Sequence, residues 1–358
     1  MGIFYDDSKK VFHLQAVDTS YVFQVYKNGY LAHLYWGRKI RSVNPDNLLV
    51  LMDRSFSPNH DLQDKSYSLD TLPQEYPSYG NTDLRTPAYS IQLENGSTIT
   101  DLRYVSHRII KGKPPLEGLP ATYVESEEEA ETLQVELVDS LIGLKAILSY
   151  TVFENYNVIT RNIRFINEGN TNLKILRALS MSVDFNNSDY DFMHLSGSYA
   201  RERHIERRAL ASGNQSVESR RGASSHQHNP FIALLSKDAT EEHGEVYGFN
   251  LCYSGNFLAQ AEVDQYKTTR VSMGINPFDF SWLLEPKESF QTPEVIMAYS
   301  SNGIGEMSRT YHKLYRTRLC RGEYKEKPRP ILINNWEATY FNFNAEKIEN
   351  IAKVGKEL

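Results

Sequence analysis

A large antiparallel β sandwich, followed by a helix and the opening of a parallel barrel, is the fold this sequence predicts, and three patterns predict it. Apolar residues recur with period two for about 290 residues with no alternating helical segments, which indicates a mostly β antiparallel sandwich rather than a doubly wound sheet. The period then changes: Ile304, Met307, Tyr311, Leu314 and Tyr315 fall on one helical face between Gly303 and Arg318. Last, Ile331 to Ile333 is a short apolar run ending in polar residues, the pattern of a strand buried on both faces, and Asn344 stands as N-cap before Ile348, Ile351, Ala352 and Val354. A single βα unit cannot bury its own faces and normally opens a barrel of roughly 250 residues. The expected organisation is therefore a β domain over residues 1–302, a connecting helix and linker over 303–328, and the start of a truncated (β/α)8 barrel over 329–358.

Within the β domain the clearest element is a hairpin. Tyr21 to Tyr26 and Tyr30 to Trp36 alternate on either side of Asn28-Gly29, which supplies the positive φ angles of a type I′ turn. Leu133 to Leu137, Leu144 to Val152 and Val158 to Phe165 follow as strands, punctuated by Asn155-Tyr-Asn and Asn167-Glu-Gly. Leu173 to Asp184, Phe231 to Leu235, Val246 to Tyr253, Phe257 to Val263 and Thr268 to Met273 continue the pattern. Two stretches read as long loops, Asp53 to Thr86 with its prolines and Ser212 to Ser225 with its Ser, Gly and Arg; long loops in a compact domain are usually functional or disordered.

Composition narrows the function. Hydrophobic residues make up 40% of the chain, enough for a core, and the formal net charge of −6 argues against a general nucleic-acid binder. Met1 to Asp7 has neither the basic nor the apolar region of a secretory signal, and no apolar run reaches the length of a membrane span. Cys252 and Cys320 make no disulfide framework, so a cytoplasmic location is expected. The 23 Tyr and 16 Phe either reflect strand preference or supply ring faces for sugars.

Several residues invite chemistry. Trp336 and Glu337 follow the expected barrel strand at the face where barrel active sites are built. The Trp suits stacking on a sugar or packing at a rim. Glu337 reads as structural, because glycoside hydrolysis usually needs two carboxylates across the bond. Glu75, Asp83 and Arg85 offer either hydroxyl-binding groups or a salt-bridged loop. His226 and His228 share a face if extended, but without a third ligand zinc is not expected. No phosphate-binding glycine loop, dinucleotide fingerprint or serine nucleophile elbow is present, and no cofactor is expected.

Taken in order, six motifs resemble the bacterial α-galactosidases of glycoside hydrolase family 36. They are Gln74 to Gly80 with Asp83 and Arg85; Leu195-Ser-Gly with Ala200 to His204; Arg221 to Gln227 with Asn229-Pro-Phe231; Asn276-Pro277 with Trp282; Pro293-Glu294; and Arg329 to Phe341. The resemblance implies a galactose-mutarotase-like β-supersandwich ahead of a (β/α)8 barrel. It also implies retaining hydrolysis of terminal α-galactosyl residues of melibiose and raffinose, with barrel Asp residues as nucleophile and acid/base. The nucleophile's motif, Lys-Trp-Asp-Met-Asn, does not occur here, so no catalytic residue is assigned in this chain. Three substrate-binding roles carry over by resemblance: Trp336 closes the galactose subsite, Asp53 reaches a neighbouring subunit's site in a homotetramer, and Tyr199 contacts the sugar beyond the cleaved bond. Galactose-containing oligosaccharides are the implied ligands. A non-catalytic sugar-binding or oligomerisation module and a mutarotase-like isomerase stand as alternatives.

Overall fold

The computed structural model describes residues 2–52, 58–224 and 226–358. The chain divides into two compact units, Met1–Leu319 and Cys320–Leu358. The first begins with β1 (Gly2–Asp6), β2 (Val11–Gln15), β3 (Thr19–Val25) and β4 (Leu31–Arg38), a four-stranded meander in that order. After the one-turn helix α1 (Pro45–Leu48) come β5 (Tyr89–Leu93), β6 (Arg103–Lys111), β7 (Ala130–Asp139), β8 (Leu144–Phe153), β9 (Val158–Asn167) and β10 (Leu173–Phe185). Next are β11 (Tyr190–Ser198), β12 (Arg201–Ala209), β13 (Gly213–Glu218), β14 (His228–Ser236) and β15 (Val246–Cys252). The last strands are β16 (Phe257–Val263), β17 (Thr269–Ile275), β18 (Trp282–Leu284), β19 (Ser289–Gln291) and β20 (Glu294–Ser300), before helix α2 (Gly303–Arg318). A six-stranded sheet runs β13-β16-β17-β10-β18 with β5 also on β10; a ten-stranded sheet runs β12-β11-β14-β15-β20-β9-β8-β7-β6 with β19 on β9.

The β3–β4 hairpin turns as its sequence predicts. Asn28 has φ 57° and ψ 17°, Gly29 has φ 80°, and the Tyr30 amide donates to the Lys27 carbonyl at 3.3 Å, the geometry of a type I′ turn. All three sheets turn apolar faces into one core, with Phe12 and Phe23 from the small sheet, Leu148 and Phe165 from the large one, and Met181 and Met273 from the third. Strand β20 is buried on both sides: Val295, Met297 and Tyr299 point into that core, while Ile296 and Ala298 point the other way, beneath Met307, Tyr311 and Leu314 of α2. The helix comes so close because residue 248 is glycine; a Cβ there would lie 3.0 Å from the Tyr311 ring and 3.1 Å from the Met307 sulfur.

Three departures from the sequence reading are informative. Half of the expected loop 212–225 is strand β13, paired along its length with β16; only Val217 in it is buried, so an edge ladder stands in for an apolar pattern. All nine residues of β12 are exposed, and pairing to β11 makes it a strand despite a sequence of charges. Asp53 to Thr86 contains no named helix or strand among its described residues, yet Tyr67, Leu69 and Leu72 pack into a small core with Tyr30 and Ala32.

The second unit contains α3 (Trp336–Thr339) and α4 (Ala345–Glu357). The Asn344 side chain accepts from the Lys347 amide at 3.0 Å, the expected N-cap. The expected strand at 331–333 pairs with no strand among the described residues, and Ile331 and Leu332 are 88% and 91% exposed. A parallel strand buried on both faces needs ladder partners on each side, and this unit offers none. No helix among the described residues is long and apolar enough to cross a membrane.

Candidate functional site

Trp336 opens helix α3, where its amide donates to the Asn334 side chain at 3.0 Å. Tyr340 and Phe341 meet its ring edge-on, with centroids at 5.5 Å and 5.0 Å, and the ring stays 46% exposed. A Trp braced at its edges and open to solvent is a ready platform for the C–H face of a sugar ring. Glu337 sits beside it, exposed in the first turn of α3.

Tyr199 stands at the tip of the β11–β12 hairpin, 79% exposed, next to Ala200 with φ 60°. The hairpin is bulged beneath the tip. A Cβ on Gly197 would lie 1.9 Å from the Arg201 carbonyl oxygen, so only glycine fits there. Below lies an open cavity of about 480 Å³ edged by Ser196, Ser198, Arg201, His204, Glu206 and His228. His194 and His228 meet edge-on at 5.9 Å. Burial lowers both imidazole pKa values, with Arg208 adding to the effect, so the rings are neutral near pH 7. Serine hydroxyls, the neutral His228 imidazole, the Glu206 carboxylate and the Arg201 guanidinium make a surface suited to recognising hydroxyl groups. No cluster of three or more metal-ligating side chains exists among the described residues.

Asp53 lies outside the described residues. The segment that follows it engages its polar groups internally. Glu75 is fully buried and accepts from Tyr150 at 2.7 Å, from Tyr21 at 2.9 Å and from His33 Nδ1 at 2.7 Å, with Arg161 at 3.4 Å. Burial pushes its carboxyl pKa up, but the Arg161 charge and the bonds from His33 and Tyr150 outweigh burial and hold it below the usual carboxylate range. Asp83 accepts from Arg85 at 3.0 Å and from Arg270 at 2.9 Å, and Arg270 also binds Asp184 at 2.8 Å. Burial raises the Asp184 pKa, and Arg270 and Arg85 more than reverse it. Asp83 and Arg85 are thus a salt-bridged anchor and present nothing to a sugar. The isomerase alternative needs an imidazole and a carboxylate on an open face; His33 and Glu75 are sealed at 5% and 0% exposure, whereas His204, His228 and Glu206 share the edge of the open cavity. Arg161, Arg270, Asp184 and Lys113 were not among the residues singled out from sequence, whereas Glu294 stood in the Pro293-Glu294 motif without a partner. The one signal of Arg161, Arg270 and Asp184 is a charge inside an otherwise apolar strand run; Lys113 lies beyond the end of β6, in Lys111-Gly-Lys-Pro-Pro.

Residues 29–285 match the family model described as the glycosyl hydrolase family 36 N-terminal domain, and residues 289–358 match the one described as melibiase. The chain is 64% identical over 358 residues to alpha-galactosidase AgaA of Geobacillus stearothermophilus, covering 100% of this chain and 49% of that protein. It is 41% identical over 355 residues to alpha-galactosidase Mel36A of Lactobacillus acidophilus, covering 99% of this chain and 48% of the relative. The crystal structure of the alpha-galactosidase AgaB from Geobacillus stearothermophilus matches with a TM-score of 0.95 at 64% identity, over 100% of this chain and 49% of that one. A substituted AgaA solved in complex with raffinose matches with a TM-score of 0.94 at 65% identity, over 97% of this chain and 48% of that one. The chain spans about half the length of the curated relatives it matches. With a family model covering most of its length and its fold matched throughout, the chain belongs to glycosyl hydrolase family 36.

Proposed function

We propose that this chain works as the N-terminal part of an α-galactosidase that releases terminal α-linked galactose from melibiose- and raffinose-type oligosaccharides with retention. The observation that carries the reading is the 64% identity to alpha-galactosidase AgaA over all 358 residues. In this reading Trp336 walls the galactose subsite and Tyr199 meets the sugar beyond the cleaved bond. Asp53 reaches the site of a neighbouring subunit in a homotetramer. Retaining hydrolysis requires two carboxyl groups roughly 5 Å apart on either side of the bond. The resemblance places that pair on barrel strands outside these 358 residues, and Asp83 and Asp184 of the first unit are buried on arginines. The 358-residue chain alone is then a binding and assembly unit without turnover. A reducing, cytoplasmic setting fits two cysteines that form no disulfide.

The test joins this chain to the remaining barrel of a family member and follows melibiose and raffinose by proton NMR. The α-anomer of galactose should form first; a β-anomer or a different released sugar would overturn the reading. Sequencing the DNA beyond the codon for Leu358 separates the enzyme from a non-catalytic module: barrel sequence, in frame or after a frameshift, supports the enzyme.

A further inference from the structure

The outer face of the ten-stranded sheet turns polar where α2 does not cover it. Arg108 on β6, Gln134 on β7, Ser149 on β8 and Asn162 on β9 are successive cross-strand partners and form one transverse row. Their neighbours Leu133, Val135, Leu148 and Ile163 face the core, which puts the row on the outside. Arg108 Nε donates to Gln134 Oε1 at 2.8 Å, and Gln291 donates to Asn162 Oδ1 at 3.0 Å, so the row is braced internally. Arg164 projects from the same face of β9 and gives one Nη to Ser289 at 2.9 Å.

A short segment roofs the row. Lys113 Nζ lies 2.6 Å from Glu294 Oε2, while Glu294 Oε1 accepts from the Thr122 amide at 2.8 Å and its hydroxyl at 2.7 Å. One fully buried carboxylate therefore pins both ends of the stretch 113–122. Between the segment and the sheet is a cavity of about 130 Å³. Its lining contains Arg108, Arg164 and Lys113, and neither a carboxylate nor an aromatic ring. Lys113 is neutralised by Glu294, but neither guanidinium has an ion-pair partner among the described residues. Asn162 and Ser149, 6% and 9% exposed, add an amide and a hydroxyl.

A neutral sugar is normally held by a ring face and carboxylate acceptors, and the lining has neither. Two guanidinium groups with unengaged N–H groups, on exposed residues that line one groove, select an oxyanion instead. We propose that this cavity is an oxyanion site that takes a phosphate-sized group, free or carried on a small metabolite as a phosphate monoester. It is independent of the galactose-binding reading and draws none of its residues from it.

The test is calorimetric titration of the 358-residue chain with inorganic phosphate at constant ionic strength. Saturable binding is expected, and Arg108→Gln and Arg164→Gln should each weaken it about tenfold, the worth of a charge-assisted hydrogen bond. Arg316→Gln, exposed on α2, should leave it unchanged. Unfolding temperatures without phosphate report whether a variant folds; Arg108, on the edge strand, carries the test should Arg164→Gln fail. Tighter binding of a hexose phosphate than of inorganic phosphate assigns the monoester, and equal affinity assigns the free anion. No saturable phosphate binding, binding undiminished in the Arg108→Gln variant, or displacement of phosphate by galactose overturns the proposal.

Discussion

Arg161 lies wholly inside the β domain and donates to the Ser182 carbonyl at 2.6 Å, the Tyr21 hydroxyl at 3.0 Å and the Glu75 carbonyl at 3.1 Å. Taking one partner from such a network strands a buried charge, so Arg161→Leu should destabilise the domain by about 3–5 kcal/mol, read as a lower urea midpoint. The carboxyls of Glu75 and Asp184 set a pH dependence of known sign. Their native pKa values are depressed, so their contribution is complete above the ordinary carboxylate pKa of about 4 and is lost as pH falls through the native values. His194 and His228 add a second window. Their pKa values are depressed too, so stability falls as pH drops below the ordinary imidazole value of about 6.5, where the unfolded chain takes up protons first. Unfolding midpoints measured from pH 7 to about pH 2 should therefore decline in two stages, and His194→Gln with His228→Gln should make the upper one shallower, the depressed imidazoles of His13, His60 and His107 supplying the rest. At the proposed galactose site, Trp336→Ala in the complete enzyme should raise KM and lower kcat, because the wall that positions the ring and excludes water is gone. Equal kinetics in variant and wild type would return Trp336 to a packing role. Both buried arginines were visible in the sequence as charges inside apolar strands; their partners were not, since Arg161 meets Glu75 from 86 residues away.

The elements that local chemistry defines were legible, and those that pairing defines were not. The Asn28-Gly29 turn, the amphipathic face of α2 and the Asn344 cap each declare themselves within a few residues. Strand β12 is a row of exposed charges and β13 is mostly polar, and only their partners β11 and β16 make them strands. The interface of α2 with β15 gives a direct test of packing. Tyr311 is fixed by its hydroxyl bond to the Ile296 carbonyl at 3.0 Å, so its ring cannot swing away from a methyl group on residue 248. Gly248→Ala should cost about 1–3 kcal/mol by overpacking, seen as a lower unfolding temperature. An unchanged or raised temperature would mean that the helix moves off the sheet without cost.

At the scale of the molecule, the β domain and the family were readable because ordered motifs span the chain. The candidate site was readable only in pieces: Trp336 and Tyr199 are present as exposed rings, Asp53 is outside the described residues, and the polar cavity between Lys113 and the large sheet left no motif. The division at Leu319 and Cys320 predicts that a glutamyl protease will cut first at Glu323 or Glu326, both exposed, and leave a stable fragment of the preceding residues. Mass spectrometry of the early digest checks this; first cuts within 67–86, irregular but buried, would contradict it. The 358-residue chain should give no release of nitrophenol from p-nitrophenyl α-galactoside above buffer, and turnover abolished by a substitution in this chain would refute the division of labour proposed above.

Asp83 meets Arg270 across 187 residues of chain. On the ribosome that distance is a waiting time. At about 5–20 residues per second the acid emerges roughly ten seconds or more before its cation. Until then Gln74, Asp83 and Asp184 surround a guanidinium that has not been made, and the segment that closes over Tyr30 and Ala32 cannot seal. The β domain therefore completes itself only near the end of its own synthesis, however early its first hairpin forms. Nascent chains arrested before residue 270 should be cut readily between residues 58 and 86, and chains arrested well beyond residue 319 should resist.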